Sequence, residues 1–157
     1  KIIMQTVKEL NKITPVKMVC VMQRSGVASK DEVERYIEFA KSAGVDSVVF
    51  RELAMFDDAV EYNNTTKYIV ENRVELMDIL KELDEQRFTD LSVTKGYYYF
   101  SFEYKYNDMK VAFEMSDYEE MIKHHYNDKK LNKVILYPNG ILCKDWNMKG
   151  EIKFDEK

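Results

Sequence analysis

Apolar residues in the first third of the chain form two continuous runs that flank a segment with helical spacing. Val16 to Met22 is one almost unbroken apolar run, and Val45 to Phe50 is the other. Such runs are typical of strands covered on both faces, as in a parallel sheet. Between them, apolar residues recur every three or four positions over residues 31–43, which predicts an amphipathic helix. Residues 3–10 have the same spacing, and Pro15 ends that first helix.

Capping signals define the ends of the helix between the two apolar runs. Ser29 and Glu32 have the spacing of a capping box, in which each side chain satisfies a backbone N–H at the helix start. Gly44 suits the other end, because glycine enters the left-handed region at little cost. Strand, capped helix and strand in this order predict a right-handed βαβ unit with adjacent parallel strands.

The next part of the chain is predicted to contain a loop and one more helix. Residues 57–67 are polar and typical of a loop. Asn72 and Glu75 have capping-box spacing, and the apolar residues after them predict a helix that ends near Gln86.

Aromatic and alternating patterns after Phe88 predict antiparallel hairpins. The segment Tyr97–Tyr106 has aromatic residues at both odd and even positions, and residues 109–115 alternate between apolar and polar side chains. Asn107-Asp108 between them favours a tight turn. A second hairpin is predicted for residues 133–137 and 141–144, with its turn at residues 138–140. Ser116 and Glu119 have the spacing to cap a short helix that ends near residue 126. We therefore predict an α/β region at residues 1–87 and an antiparallel β-rich region at residues 88–157.

Composition narrows the classes of protein that this chain can represent. Of its 157 residues, 45% are hydrophobic and 33% are charged, which predicts a packed globular protein. The net charge of −4 argues against a basic face that would bind nucleic acid. Two cysteines, no signal peptide and no apolar run of membrane-spanning length indicate a reducing cytoplasm and no membrane partner. The chain begins at Lys1 inside an amphipathic run, which predicts a fragment of a longer protein.

Few residues have a pattern that indicates chemistry. Cys20 and Cys143 are not part of any C-x-x-C motif, and Cys20 lies in mid-strand, where a small buried side chain is expected. The neighbouring residues His124 and His125 cannot both face the same way, and we predict no metal site there. Arg51-Glu52 comes at the carboxyl end of a predicted strand, where parallel α/β folds bind ligands. A structural ion pair is an equal alternative for these two residues.

The stretch from Leu10 to Met55 resembles the last two βα units of radical S-adenosylmethionine enzymes, closest to the molybdenum-cofactor cyclase and peptide-modifying branch. The residues that carry the resemblance are Leu10-Asn11-Lys12, Pro15 to Arg24, Asp31 to Glu34, Phe39-Ala40-Lys41, Gly44-Val45-Asp46 and Arg51-Glu52-Leu53. The resemblance implies a partial (βα)6 barrel, with Val16–Met22 as its fifth strand and Val45–Phe50 as its sixth. A smaller antiparallel α+β lobe would follow.

The resemblance also implies an activity for the parent protein. Such enzymes cleave S-adenosylmethionine reductively at a 4Fe-4S cluster and abstract a hydrogen atom from a substrate, here an unknown small molecule or peptide. Their cluster-binding C-x-x-x-C-x-x-C loop is not present in these 157 residues, so the fragment alone is not expected to bind a cluster or to be an enzyme. The resemblance implies that main-chain and apolar contacts hold the adenine of the cofactor. The residues that it nominates for these contacts are Val21, Gln23, Arg51, Glu52 and Leu53. Catalytic residues and metal ligands are not expected here.

Two further expectations concern binding partners. Residues 137–143 resemble a family hairpin whose cysteine binds an auxiliary cluster, but Cys143 stands alone and a spare buried thiol is the competing interpretation. Without preceding strands, Val16–Met22 would have an open edge, which predicts self-association. The alternative function is a non-catalytic α/β ligand-binding or protein-interaction domain that uses the aromatic segment Tyr97–Tyr106 as its recognition surface.

Overall fold

The computed structural model describes residues 2–54, 63–96, 98–117, 120, 123 and 134–143. They form four helices and seven strands: α1 Ile2–Leu10, β1 Lys17–Met22, α2 Lys30–Ala43, β2 Ser47–Glu52, α3 Asn64–Asn72, α4 Leu76–Glu82, β3 Phe88–Lys95, β4 Tyr99–Tyr106, β5 Met109–Ser116, β6 Ile135–Leu136 and β7 Leu142–Cys143. The chain divides into two compact units, residues 1–121 and 122–157. The boundary predicted near residue 87 falls between α4 and β3, inside the first unit.

The predicted βαβ unit is confirmed. Strands β1 and β2 are parallel neighbours, with Cys20 opposite Phe50. Helix α2 connects them and begins where the capping box predicts, because the Ser29 side chain accepts a hydrogen bond from the Glu32 N–H and the Glu32 carboxylate accepts one from the Ala28 N–H. Gly44 ends the helix in the left-handed region, at φ 81°.

The predicted partial (βα)6 barrel is wrong. The five strands of the first unit form one mixed sheet in the order β1-β2-β5-β4-β3. Strand β5 is parallel to β2 but antiparallel to β4, and β4 is antiparallel to β3. The first predicted hairpin, β4 and β5, therefore belongs to the sheet of the βαβ unit, whereas β6 and β7 form a separate two-stranded sheet. The fold is α+β.

The burial of β2 explains why β5 lies beside it. Val48, Val49 and Phe50 are all buried, as expected for a strand in the middle of a sheet with a neighbour on each side. Strand β5 supplies the second neighbour together with an aromatic contact, since the rings of Phe50 and Phe113 stack with centroids 5.2 Å apart.

The main core lies on one face of the sheet. Helices α1, α2 and α4 contribute Val7, Ile37 and Leu76 to a single apolar cluster that also contains Met22 and Phe50. Residues alternate between the two faces along each strand. The odd-numbered valines of β1 consequently point to the other face, where they are about half exposed.

The helix predicted from Asn72 to Gln86 is wrong in its start and its length. The chain instead forms α3 and α4, and Asn72 is the last residue of α3 rather than a cap. Asn63 caps α3, where its side chain accepts hydrogen bonds from Thr65 and Thr66. Part of the predicted loop at residues 57–67 is therefore helical. Strand β3 was not predicted at all.

Both predicted hairpin turns are confirmed. Asn107 has a positive φ of 53° and lies in the two-residue turn between β4 and β5. In the second unit, Gly140 has a φ of 83°, and Tyr137 donates a backbone hydrogen bond to Ile141 across the turn that joins β6 to β7. Ser116 is the last residue of β5, and its proposed capping partner Glu119 lies outside the described residues. Within the described part of the chain, no helix has the length and apolar character needed to cross a membrane.

Candidate functional site

The carboxyl ends of β1 and β2 meet at one edge of the sheet. The last cross-strand pair is Met22 with Glu52, and Gln23 and Leu53 are the residues that follow. All five predicted cofactor-binding residues therefore lie within one position of this last pair. They do not share one surface, because Val21 and Arg51 point to the sheet face opposite to that of Glu52.

Arg51 forms an ion pair on the exposed face of the sheet. Its Nε donates to Glu114 Oε2 at 2.9 Å, and the two residues are directly opposite each other on β2 and β5. The Arg51 side chain is 54% exposed. Pairs of this kind contribute little to stability, because solvent screens their charges. Arg51 therefore forms a structural ion pair, which was the alternative interpretation, and its contact with a ligand stays a prediction.

Glu52 is a buried carboxylate on the core face of β2. Its side chain is only 4% exposed, and Arg73 Nη2 donates to its Oε1 at 2.6 Å. The backbone N–H of Leu76, at the start of α4, donates to the same oxygen at 3.3 Å. Burial raises the pKa of Glu52, while Arg73 and the Leu76 N–H act in the opposite direction. These contacts make Glu52 a structural anchor rather than an open ligand contact.

Arg73 ties the ends of both strands together. Besides its ion pair with Glu52, its Nε donates to the carbonyl oxygen of Leu53 at 3.2 Å, which holds the chain beyond β2. Its own carbonyl oxygen accepts from Arg24 Nε at 3.3 Å, and the backbone N–H of Arg24 donates to Asn72 at 2.9 Å, which holds the chain beyond β1. Sequence reasoning missed Arg73, because no motif or periodicity marks this residue between α3 and α4.

Gln23 is the predicted site residue with free hydrogen-bonding capacity. Its Oε1 accepts from the hydroxyl of Tyr68 on α3 at 2.6 Å, and its backbone N–H donates to Val27 at 3.1 Å. Within the described residues, its Nε2 group donates to no partner. The side chain is thus held from one side and presents an amide donor at the edge.

The helix N-termini near this edge are closed by side chains of the protein itself. Ser29 and Glu32 satisfy N–H groups at the start of α2, Asn63 does so for α3, and Glu52 accepts from the first N–H of α4. Free N–H groups at a helix start are what usually binds phosphate or another anion. The edge is therefore better suited to a neutral group that offers apolar surface and a hydrogen-bond acceptor.

A second charged cluster lies between α2 and the antiparallel strands. Arg87 forms an ion pair with Glu34, donates to the hydroxyl of Tyr106 and stacks over the Tyr106 ring at 4.9 Å. Burial raises the pKa of Tyr106 to about 12. Glu34 has a side chain that is only 15% exposed, so it is not the solvated surface charge that its helix position suggests. The contacts join α2 to β4, and we assign the cluster a structural role.

Both cysteines are buried in strands. Cys20 is buried on the core face of β1, and this burial raises the pKa of its thiol. Cys143 is buried in β7 of the second unit. Among the described residues, no group of three or more His, Cys, Asp and Glu side chains could hold a metal ion. His124 and His125 lie outside that part of the chain.

Comparison with known proteins adds no relative. No protein-family model, no curated protein and no solved structure matches the chain.

Proposed function

We propose that this chain is the carboxy-terminal part of a cytoplasmic radical S-adenosylmethionine enzyme, and that the carboxyl edge of β1 and β2 faces the cofactor. The observation that carries the proposal is the parallel, adjacent arrangement of β1 and β2, whose carboxyl ends meet at one edge. This arrangement occurs within residues 10–55, the segment that carries the resemblance. The proposal rests on this βαβ unit and not on a barrel.

Gln23 and Leu53 are the residues that fit contact with the adenine of S-adenosylmethionine. Both are partly exposed, and Gln23 offers an amide donor while Leu53 offers apolar surface. Behind them, Glu52 and Arg73 hold the two strand ends in register. When bound in enzymes of this family, the cofactor supplies the radical that abstracts hydrogen from the substrate. The residues of this edge would only bind and orient it.

The cysteines of this chain do not fit a 4Fe-4S cluster. The resemblance implies three thiolate ligands from one loop, whereas this sequence contains two cysteines, Cys20 and Cys143, which are distant in sequence and both buried. We therefore derive no reaction step through a cluster bound to these residues. In this proposal the cluster belongs to another part of the parent protein.

Two measurements test the proposal. The gene upstream of the Lys1 codon should encode a C-x-x-x-C-x-x-C motif, and its absence from the complete reading frame would refute the assignment. Titration of the chain with S-adenosylmethionine should shift the NMR amide signals of Gln23 and Leu53. Gln23→Ala should weaken binding about three- to tenfold, as expected for one lost hydrogen bond. Gln5→Ala, which alters an exposed glutamine on α1, is the matched control and should have no effect.

One observation favours the alternative of a non-catalytic interaction domain. Leu91 and Val93 of β3 and Tyr99 of β4 are 55%, 54% and 45% exposed, which leaves apolar surface at the antiparallel end of the sheet. The proposed aromatic recognition surface is nevertheless small. Tyr106 is fully buried and Phe102 packs against the core, so much of the aromatic segment serves the interior. A complete gene without the cysteine motif would favour this second function.

A further inference from the structure

Among the described strands, β1 is an edge of the five-stranded sheet. Among the described strands it pairs with β2 alone, so its other side offers backbone N–H and C=O groups to a further strand. The residues from Met18 to Met22 include no charge and no proline, and the pairing with β2 contains no bulge. Val19 and Val21 are 48% and 46% exposed, which provides apolar surface along this edge.

The opposite edge of the same sheet, strand β3, has the features that usually prevent strand addition. Its pairing with β4 is irregular between Thr89 and Ser92, and Asp90 within this irregularity has a positive φ of 57°. Bulges of this kind discourage pairing with other chains. Among the described strands, the two edges of this sheet therefore differ, and β1 is the better suited to accept a further strand.

The charge around β1 indicates the kind of segment that would fit. Residues 10–30 contain four cationic side chains and no carboxylate, and Lys12 among them is paired with Glu9. Lys17 begins β1 and Arg24 lies two residues beyond its end, and both are exposed. Within the described residues, neither is paired with a carboxylate. The acidic side chain of Asp46, near the start of β1, is already engaged by the N–H of Val16 at 2.7 Å.

We propose, on the basis of the alternative function as a non-catalytic interaction domain, that the edge of β1 binds an extended segment of another protein that is apolar at alternate positions in its centre and acidic on both sides. The segment would add a sixth strand to the sheet through main-chain hydrogen bonds. Val19 and Val21 would contact its apolar side chains, and Lys17 and Arg24 would pair with its acidic flanks. A second copy of this chain is a poorer occupant, because it would bring one acid-free cationic stretch against another.

Binding of a synthetic peptide tests this proposal. The probe is a fluorescein-labelled peptide of alternating valine and threonine with two glutamates at each end, followed by fluorescence anisotropy. It should bind the chain, and it should bind more weakly at about 0.5 M salt, where exposed charges are screened. Lys17→Glu should weaken binding about two- to fivefold, the effect of one exposed ion pair. The same peptide with lysine flanks should not bind.

Two valines at similar exposure provide the matched variants. Val19→Lys on β1 should abolish binding, whereas Val93→Lys on β3, where the valine is 54% exposed, should leave it unchanged. Both positions are on the surface, and circular dichroism checks that the variants fold. In hydrogen exchange, the peptide should slow the exchange of β1 amides and not that of β3 amides.

Several results would overturn the proposal. If the glutamate-flanked peptide does not bind, or if the lysine-flanked peptide binds equally well, the proposed acidic partner is refuted. If Val93→Lys loses as much binding as Val19→Lys, β1 is not the binding site. A dimer of the chain alone, seen in analytical ultracentrifugation and dissociated by Val19→Lys, would identify a second copy as the occupant.

Discussion

Replacement of Arg73 by methionine should expose the energetic role of the buried ion pair at the sheet edge. Arg73→Met removes the partner that lies 2.6 Å from Glu52 Oε1, and the Glu52 side chain is only 4% exposed. Removing one member of a buried ion pair costs about 3–5 kcal/mol, because the other charge is left uncompensated. The Leu76 N–H still donates to the same oxygen, so we expect a loss near the lower limit, about 3 kcal/mol at pH 7.

The loss should depend on pH in a defined direction. Burial already raises the pKa of Glu52, and removal of Arg73 raises it further, because the cation that favours the carboxylate is gone. The folded variant therefore binds a proton at a higher pH than its unfolded chain does. Its stability increases as the pH falls from 7 towards the ordinary glutamate value of 4.5 and decreases as the pH rises again. The cost of Arg73→Met should accordingly shrink at low pH.

Urea denaturation followed by circular dichroism at pH 7 and about pH 5 measures both effects. Arg51→Met is the matched control, since Arg51 also pairs with a glutamate but is 54% exposed. We expect that control to cost less than about 1 kcal/mol at either pH. If Arg73→Met costs no more than the control, or if its cost is the same at both pH values, the assignment of Arg73 and Glu52 as a buried structural pair is incorrect.

Three further predictions concern the helix cap, the core and the cysteines. Gly44→Ala should lower the free energy of unfolding by about 1 kcal/mol, because Gly44 has a φ of 81°, whereas Gly26→Ala should change it little, and equal denaturation midpoints for the two variants would contradict this. Phe113→Ala should lower the free energy of unfolding by about 3–5 kcal/mol, because a fully buried ring is lost. Val93→Ala at an exposed position should change it by less than about 0.5 kcal/mol. Similar losses for the two variants in thermal unfolding would argue against the sheet order. Anaerobic reconstitution of this chain should give no 4Fe-4S absorbance, because two distant cysteines do not form a cluster site, and a stoichiometric cluster would show that Cys143 was misinterpreted.

The features predicted correctly from the sequence are those that depend on neighbouring residues. The start of α2 follows from Ser29 and Glu32, three positions apart, and its end follows from the conformational freedom of Gly44. The turn at Asn107 likewise depends on one residue that tolerates positive φ. The pairing of β1 with β2 was predictable because a single short helix joins two buried strands.

Sequence reasoning also located the candidate site but not its internal arrangement. It placed Gln23, Glu52 and Leu53 at the carboxyl edge, because parallel strands end at the same side of a sheet. Which of them remain open to a ligand depended on Arg73, a residue twenty or more positions away that carries no motif. An ion pair between such distant residues forms only when the fold brings them together.

The same distinction explains the error in fold class. The apolar run of β2 showed that both of its faces are buried, but it did not specify the strand on its second side. That strand is β5, with Phe113 against Phe50 across more than sixty residues of chain. Local hydrophobic periodicity identified β1, α2, β2, β4 and β5, but it missed α3 and β3. Strand order was decided by tertiary packing, because non-local pairing depends on the shape and burial of the whole sheet rather than on any short stretch of sequence.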